Sequence, residues 1–476
     1  MSKGPRESVS EPVNEGSKTL REVFDGGLEK LVLHETGKTA DEIRAMSLEE
    51  RRKALAMIGV NIPEAKPQPS PLTQPRYYNR PSGVFSRLLK GASSVEGRRS
   101  FCLPKNIVKV ALVHDFLVKL GGAERVLKVF ADLYPDAPIY TLLYDEAVCG
   151  KVFPAERVQT SFLQKFPAFV RKRQKYLLPF MPRAIESFDL SEFDLVISSS
   201  SAYAHGVLIP SSAQHICYCH SPMRYAWDYT HEYLAEQQAT GLKKMMANWM
   251  VHHVRQWDQI AVDRVDHYLA NSHHVRKRIK KYYRKDAEVL YPPVETRKFQ
   301  ARKEHGNYFL IVSTLSPYKK IDLAVQLFNK IGKELIIIGS GSHYEYLKSI
   351  AASNVHLMGF KDDETVKTYL QNCRALLFPG EEDFGITPVE AMACGKPVLA
   401  YGKGGTLETV VPGVTGEFFY EPTLESMEDG LGRLIVNEPQ YDPDKIHRHA
   451  VQFSKQKFAA NFQDYIEKKV QLSSSS

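Results

Sequence analysis

No apolar run in this 476-residue chain approaches the ~18 residues a membrane-spanning helix needs, so no spanning helix is expected. Met1-Ser2-Lys3-Gly4-Pro5 leads into no hydrophobic stretch, so no secretory leader is read. The six cysteines (Cys102, Cys149, Cys217, Cys219, Cys373 and Cys394) show neither zinc spacing nor a disulfide ladder, which points to reduced thiols in a cytosolic setting. Cys217-Tyr218-Cys219 alternates as a strand does, placing both thiols on one face. The dinucleotide fingerprint G-x-G-x-x-G is also missing from the first strand-to-helix turn. What is present is ordinary for a globular protein: 43% hydrophobic and 25% charged residues. The length suits two to four domains of ~100–200 residues each. The net charge of +8 fits an anionic partner, whether phosphate, nucleic acid or membrane surface, and equally a merely basic soluble protein.

Residues 1–105 differ from the rest. Residues 1–19 are polar, and disorder is expected there. Leu20 to Ile58 has helical apolar spacing, with Ser47-Leu48-Glu49-Glu50 as a helix start. Residues 62–82 carry Pro63, Pro67, Pro69, Pro71, Pro75 and Pro81 and read as an extended linker. From Ile107 a βα pattern begins. Strands are expected at Ile107–His114, Pro138–Leu143, Phe193–Ser199, Ala204–Ile209, His215–His220 and His267–Asn271. Tyr291-Pro292-Pro293-Val294 to Gly306 reads as an interdomain linker. A second series follows at Tyr308–Ser313, Glu334–Gly339, Val355–Met358, Arg374–Phe378, Pro397–Tyr401 and Thr415–Tyr420. The pattern implies two doubly wound α/β halves.

The most informative stretch is Gly380-Glu381-Glu382-Asp383-Phe384-Gly385-Ile386-Thr387-Pro388-Val389-Glu390. It follows the apolar Ala375-Leu376-Leu377-Phe378, a buried parallel strand, and enters a helix with Pro388 in its first turn. Ligands bind at this edge of open α/β sheets. Free N–H groups at a helix start attract phosphate oxygens. Glu382 and Glu390, with seven residues between them, can hold hydroxyls on either side of a bound phosphate, as a nucleotide sugar requires. Gly121-Gly122 opens the first helix, where a backbone would approach a phosphate.

His220 ends a strand. A neutral imidazole there can bond a sugar hydroxyl or accept a proton, the alternative being a structural histidine. Lys319 follows the first strand of the second series and can neutralise a diphosphate leaving group, the alternative being a solvated lysine. Turns at Gly339-Ser340-Gly341, Met358-Gly359-Phe360 and Gly404-Gly405-Thr406 read equally as ligand loops or as packing. Asp362-Asp363-Glu364 is read as a polar helix start and Glu381-Glu382-Asp383 as part of the sugar loop, so no metal is expected.

Taken together, these motifs resemble the E-x7-E signature of family 4 retaining glycosyltransferases of GT-B fold, over about Ile107 to Val470. Within that family the chain looks most like bacterial mannosyltransferases of polysaccharide and lipopolysaccharide assembly, on Cys219–Tyr225 and Phe384–Lys403. The resemblance implies two Rossmann-like domains facing across a cleft. The expected divisions are an extension at 1–105, an acceptor domain at 106–295 and a nucleotide-sugar domain at 296–454. A helix at 455–476 crosses back to the first domain and ends in a frayed tail. It also implies that Gly121 and Gly122 face the donor diphosphate and that Gly359 lies by the base. The backbone of Phe384, Gly385 and Ile386 lines sugar and phosphate, and Glu390 binds ribose. His220, Glu382 and Lys319 form the expected catalytic set. The family places an arginine where this chain has Thr314, a hydroxyl without charge, with Lys320 as the adjacent substitute cation.

The implied reaction moves a sugar, mannose first, from a GDP- or UDP-linked donor to a saccharide or polyprenyl-linked acceptor, without cofactor or metal. The alternatives are a hydrolase- or epimerase-type relative and a non-catalytic nucleotide-sugar binder. Residues 162–183 interleave aromatics with basic residues and suit contact with an anionic membrane. Nucleic acid is not expected, since no nucleic-acid motif accompanies them. A cytoplasmic or membrane-peripheral location follows. Residues 241–257, with Leu242, Met245, Met246, Trp249, Met250 and Trp257, are read as core in preference to an acceptor groove.

Overall fold

The structure is a computed structural model that describes residues 108–228, 230 and 241–473. The extension expected at 1–105 and the tail from 474 lie outside the described residues. Two all-parallel sheets organise the rest. The first contains β1 (Val110–His114), β2 (Ile139–Thr141), β3 (Val158–Thr160), β4 (Leu195–Ser200), β5 (Gln214–Cys219), β6 (His267–Ala270) and β7 (Ala287–Val289), in the order β3-β2-β1-β4-β5-β6-β7. The second contains β8 (Phe309–Val312), β9 (Leu335–Ile338), β10 (Val355–Gly359), β11 (Ala375–Phe378), β12 (Val398–Tyr401) and β13 (Gly416–Phe419), in the order β10-β9-β8-β11-β12-β13. Central strands such as Leu335–Ile338 and Ala375–Phe378 are buried at every position, because helices cover both faces of a parallel sheet.

In both sheets the strand order reverses beside the first strand, and the loops leaving the strand ends there form a crevice. Into that crevice project the turn before the helix Gly122–Leu133, the segment after β5, and the loops after β8 and β11. The chain passes between the lobes near Val294 and returns near Ser454. The two passages lie side by side, joined by Val294 N to Phe453 O at 2.9 Å and Lys455 N to Val294 O at 3.0 Å. The terminal helix Lys455–Ser473 then packs Phe458 and Phe462 against Phe130 in the first lobe's core, the closer ring pair at 4.5 Å.

One expected strand is not there. Ala204–Ile209 begins instead as a single 3-10 turn, Ala204–Gly206. The buried carboxylate of Asp115 accepts the backbone N–H groups of Ser201, Ala202, Tyr203 and Ala204 at 2.6–3.0 Å, which removes them from any ladder. Two short edge strands, Val158–Thr160 and Ala287–Val289, were not anticipated. The core reading of residues 241–257 holds only for its far end: Trp257 packs on the first lobe's core, whereas Leu242, Met245, Met246 and Trp249 of the helix Gly241–Ala261 are exposed, and Val251, Val254 and Asp258 face inward.

Candidate active site

The loop after β11 and the helix it feeds, Ile386–Ala393, meet the first lobe. Gly385 precedes that helix at φ +87°, a left-handed conformation that favours glycine. Ile386 lies so close to Gly122 that a β-carbon on the glycine would sit 2.8 Å from Ile386 Cδ1. Glu390, on the same helix, accepts a hydrogen bond from Arg125 Nη1 at 2.6 Å. Arg125 belongs to the helix opened by Gly121-Gly122, so this ion pair spans the crevice. Phe384 turns the other way. It is 2% exposed and packs its ring against Tyr291 and Phe453. The neighbouring turn braces the loop, with Gly405 N–H donating to Glu382 O at 2.8 Å.

Glu382 and Lys319 are in contact. Burial brings the Lys319 pKa down to about 7, with Arg224 pushing the same way and Asp383 opposing. The touching carboxylate of Glu382 also opposes the shift, so its direction rests on the withdrawal of the ammonium from water. Thr314 is exposed, and so is Lys320, at φ +53°. The second cation whose field reaches Lys319 is therefore Arg224, from the opposite lobe. Gly359 closes β10 at φ +68° and accepts from Gly339 N at 2.9 Å.

His220, partly buried, follows β5. Its Nε2 lies 2.8 Å from Ser199 Oγ, and that hydroxyl lies 3.1 Å from His114 Nδ1. His114 Nε2 stands 3.7 Å from Glu124, and Glu124 accepts Gly121 N–H at 2.8 Å. A continuous polar chain thus links the Gly121-Gly122 turn to His220. Burial drives the His220 pKa down to about 3, and His114 adds to the shift, so the ring is neutral near pH 7. Burial alone would raise the Glu124 carboxyl, but His114 and the Gly121 N–H outweigh it and hold it below its usual range. His114, Ser199 and Glu124 carried little sequence signal; only the acid three residues into a Gly-capped helix hinted at Glu124.

Asp383 was read as sugar loop. The structure makes it an interlobe anchor, 2.8 Å from both Arg224 and Arg278 of the first lobe. Burial would raise its carboxyl, but the two guanidinium groups hold it low. Glu408 makes a second bridge, accepting the backbone N–H groups of His273 and His274 at 2.8 and 2.9 Å. Between these contacts opens a cavity lined by Arg224, Asp228, His274, Arg278 and Glu381. None of the described residues form a His/Cys/Asp/Glu group suited to hold a metal ion.

Comparisons with known proteins fit this geometry. Residues 294–452 match the family described as "Glycosyl transferases group 1", and residues 120–298 match "Glycosyltransferase Family 4". The Saccharomyces cerevisiae Alpha-1,3/1,6-mannosyltransferase ALG2 is 24% identical over 446 residues, covering 75% of this chain and 84% of its own. The Dictyostelium discoideum protein of the same name is 28% identical, with 43% of this chain and 61% of its own covered. An uncharacterized glycosyltransferase of Methanocaldococcus jannaschii is 26% identical, covering 39% of this chain and 54% of its own. The chain thus spans under two thirds of the length of the last two relatives. In fold it is similar to the sucrose-phosphate synthase of Thermosynechococcus elongatus, with a TM-score of 0.58, 15% identity, and 78% of this chain and 100% of that one covered. Anabaena HepE in complex with UDP and glucose gives a TM-score of 0.56 at 17% identity, with 76% of this chain and 100% of that one covered. Both likenesses are to GT-B architecture.

Proposed function

Because the chain belongs to the family 4 glycosyltransferases, we propose that it is a retaining transferase moving a hexose, mannose first, from a nucleotide-diphosphate sugar to a saccharide or polyprenyl-linked acceptor. The observation that carries this reading is the meeting of Gly122, Ile386 and Glu390 across the crevice that also holds Lys319 and Glu382. The ribose hydroxyls take Glu390, displacing Arg125. The diphosphate lies against the N-terminus of the helix Ile386–Ala393 and Lys319, with Arg224 as the second cation in place of the arginine missing at Thr314. Glu382 leaves Lys319 and receives hydroxyls of the transferred sugar, and neutral His220 bonds another.

In the front-side course, the bond from the sugar's anomeric carbon to the diphosphate oxygen breaks. The acceptor oxygen bonds to that carbon on the same face. The acceptor's proton passes to the departing phosphate oxygen. The chain contributes positioning and cationic stabilisation, each well-placed charge worth about 2–4 kcal/mol of barrier, and the step needs no metal. The ALG2 relatives support mannose as the donor sugar. We assign the reaction to cell-envelope polysaccharide or glycolipid synthesis on the cytoplasmic side as part of the same proposal.

A panel of GDP- and UDP-sugars, scored by thermal stabilisation and then by transfer into membrane lipid extracts, tests this. Glu382→Ala and His220→Ala should abolish transfer with the fold intact, and full activity in either variant rejects that residue's role. Thr314 favours a second reading, a non-catalytic nucleotide-sugar binder, and a hydrolase- or epimerase-type enzyme is the other alternative. The first requires binding without transfer, the other release of free sugar.

A further inference from the structure

The helix Gly241–Ala261 carries an apolar stripe on the side that faces away from its own lobe. At about 100° per residue, Leu242, Met245, Met246 and Trp249 fall within an arc of about 100°, and Ile260 returns to the same line. These five are 58–73% exposed. The opposite side holds Val251, Val254 and Asp258, all buried. Residues 241–246 are exposed at every position, so the first turns stand clear of the lobe. Scattered exposed apolar residues are normal, but an aligned stripe of this kind marks a docking surface.

The helix packs against the turn Leu178–Phe180, which brings a second exposed set beside it: Phe169, Tyr176 and Phe180, at 46–70% exposure. Neither segment exposes an acid, since the helix's Asp258 is buried. Phe162 to Arg183 holds six basic residues and no Asp or Glu, and Gly241 to Trp257 holds three and none. Lys243 borders the stripe, Lys244 projects from the same exposed first turn, and Lys172, Arg173 and Lys175 surround the aromatics, all of them exposed.

We propose that this face of the first lobe docks on a lipid bilayer bearing anionic headgroups, with Met245, Met246 and Trp249 seated at the headgroup–acyl boundary and the lysines on the phosphates. The combination of an apolar stripe, interfacial aromatics and an acid-free basic border is that of a helix lying in the membrane plane. A second copy of the chain would bring the same positive charge against itself, which disfavours a dimer through this face. The inner side of the same helix bonds the segment after His220, through Arg255 Nε to Ala226 O at 2.7 Å and Trp227 Nε1 to Asp258 at 2.7 Å. Docking therefore sets the acceptor side of the crevice near the membrane surface. The inference deepens the transferase reading but does not need a lipid-linked acceptor.

Co-sedimentation of the full chain with vesicles of phosphatidylcholine, with and without phosphatidylglycerol, tests it. The wild type should pellet with the anionic vesicles and be released by high salt. Met246→Glu with Trp249→Glu should lose at least tenfold in vesicle affinity. Lys243→Gln and Lys244→Gln should each lose about fivefold at low salt. Thermal stabilisation by nucleotide should be unchanged in all of them, so that failure of the docking face and failure of the sugar-transfer reading are told apart. No binding by the wild type to anionic vesicles overturns the proposal. So does equal binding by the glutamate variant, which would place any membrane contact elsewhere in the chain. A wild-type dimer that the glutamate variant breaks without vesicles present overturns it as well.

Discussion

Donor binding should be linked to a proton on Lys319. The ammonium has 12% side-chain exposure. Burial brings its pKa down to about 7, with Arg224 acting in the same sense and Asp383 against it. Glu382 touches it, and Arg278 shares Asp383 with Arg224. A donor diphosphate placed against Lys319 adds negative charge and restores an ordinary lysine's hold on its proton. The neutral fraction of the ligand-free group is about 0.9 at pH 8 and about 0.1 at pH 6. Binding at pH 8 should therefore take up ~0.9 proton, and affinity should fall nearly tenfold per pH unit above pH 7, about 1.4 kcal/mol each.

The stability sign follows from the same values. The unfolded chain keeps this proton to about pH 10.4 and the folded chain to about 7. Ligand-free stability therefore gains from this group as pH rises between those limits. Titration calorimetry at pH 8 in two buffers of different ionisation enthalpy reads the proton directly. Lys319→Met should bind more weakly and take up none. Equal affinity at pH 7 and pH 8.5 with no proton uptake by the wild type refutes the reasoning.

Three further outcomes are expected. Asp383→Ala leaves two largely buried guanidinium groups facing each other and should cost about 3 kcal/mol by chemical denaturation, against about 1 kcal/mol or less for an exposed pair. His220, held neutral by burial and His114, should show no imidazole titration by NMR between pH 5 and pH 8. Phe462→Ala empties a fully buried site against Phe130 and should cost about 3–5 kcal/mol, read in the first lobe's unfolding transition.

The paired α/β lobes were legible because buried parallel strands are written as unbroken apolar runs, as in Leu335–Ile338. Val158–Thr160 and Ala287–Val289 escaped notice because three-residue edge strands with Gln159 and Glu288 exposed carry no such run. The expected strand at Ala204 failed on a long-range effect, Asp115 collecting its N–H groups, which no local pattern records. The apolar residues of 241–257 were visible in the sequence, but their spacing does not say whether they face a core or solvent. The site's named glycines and carboxylates were legible as motif. The polar chain from Gly121 through Glu124, His114 and Ser199 to His220 was not, because it is assembled from separate strands and a helix. The Asp383 anchor stayed hidden for the same reason: its arginines come from the other lobe.

The central claim is that carboxylates of the second lobe grip both ends of an activated sugar. A crystal structure with GDP-mannose or a UDP-sugar bound tests it most directly. The account predicts ribose hydroxyls on Glu390 with Arg125 released, diphosphate against Lys319, and the sugar between Glu382 and His220. A nucleotide bound away from this crevice, with the Arg125–Glu390 pair still closed, would contradict it.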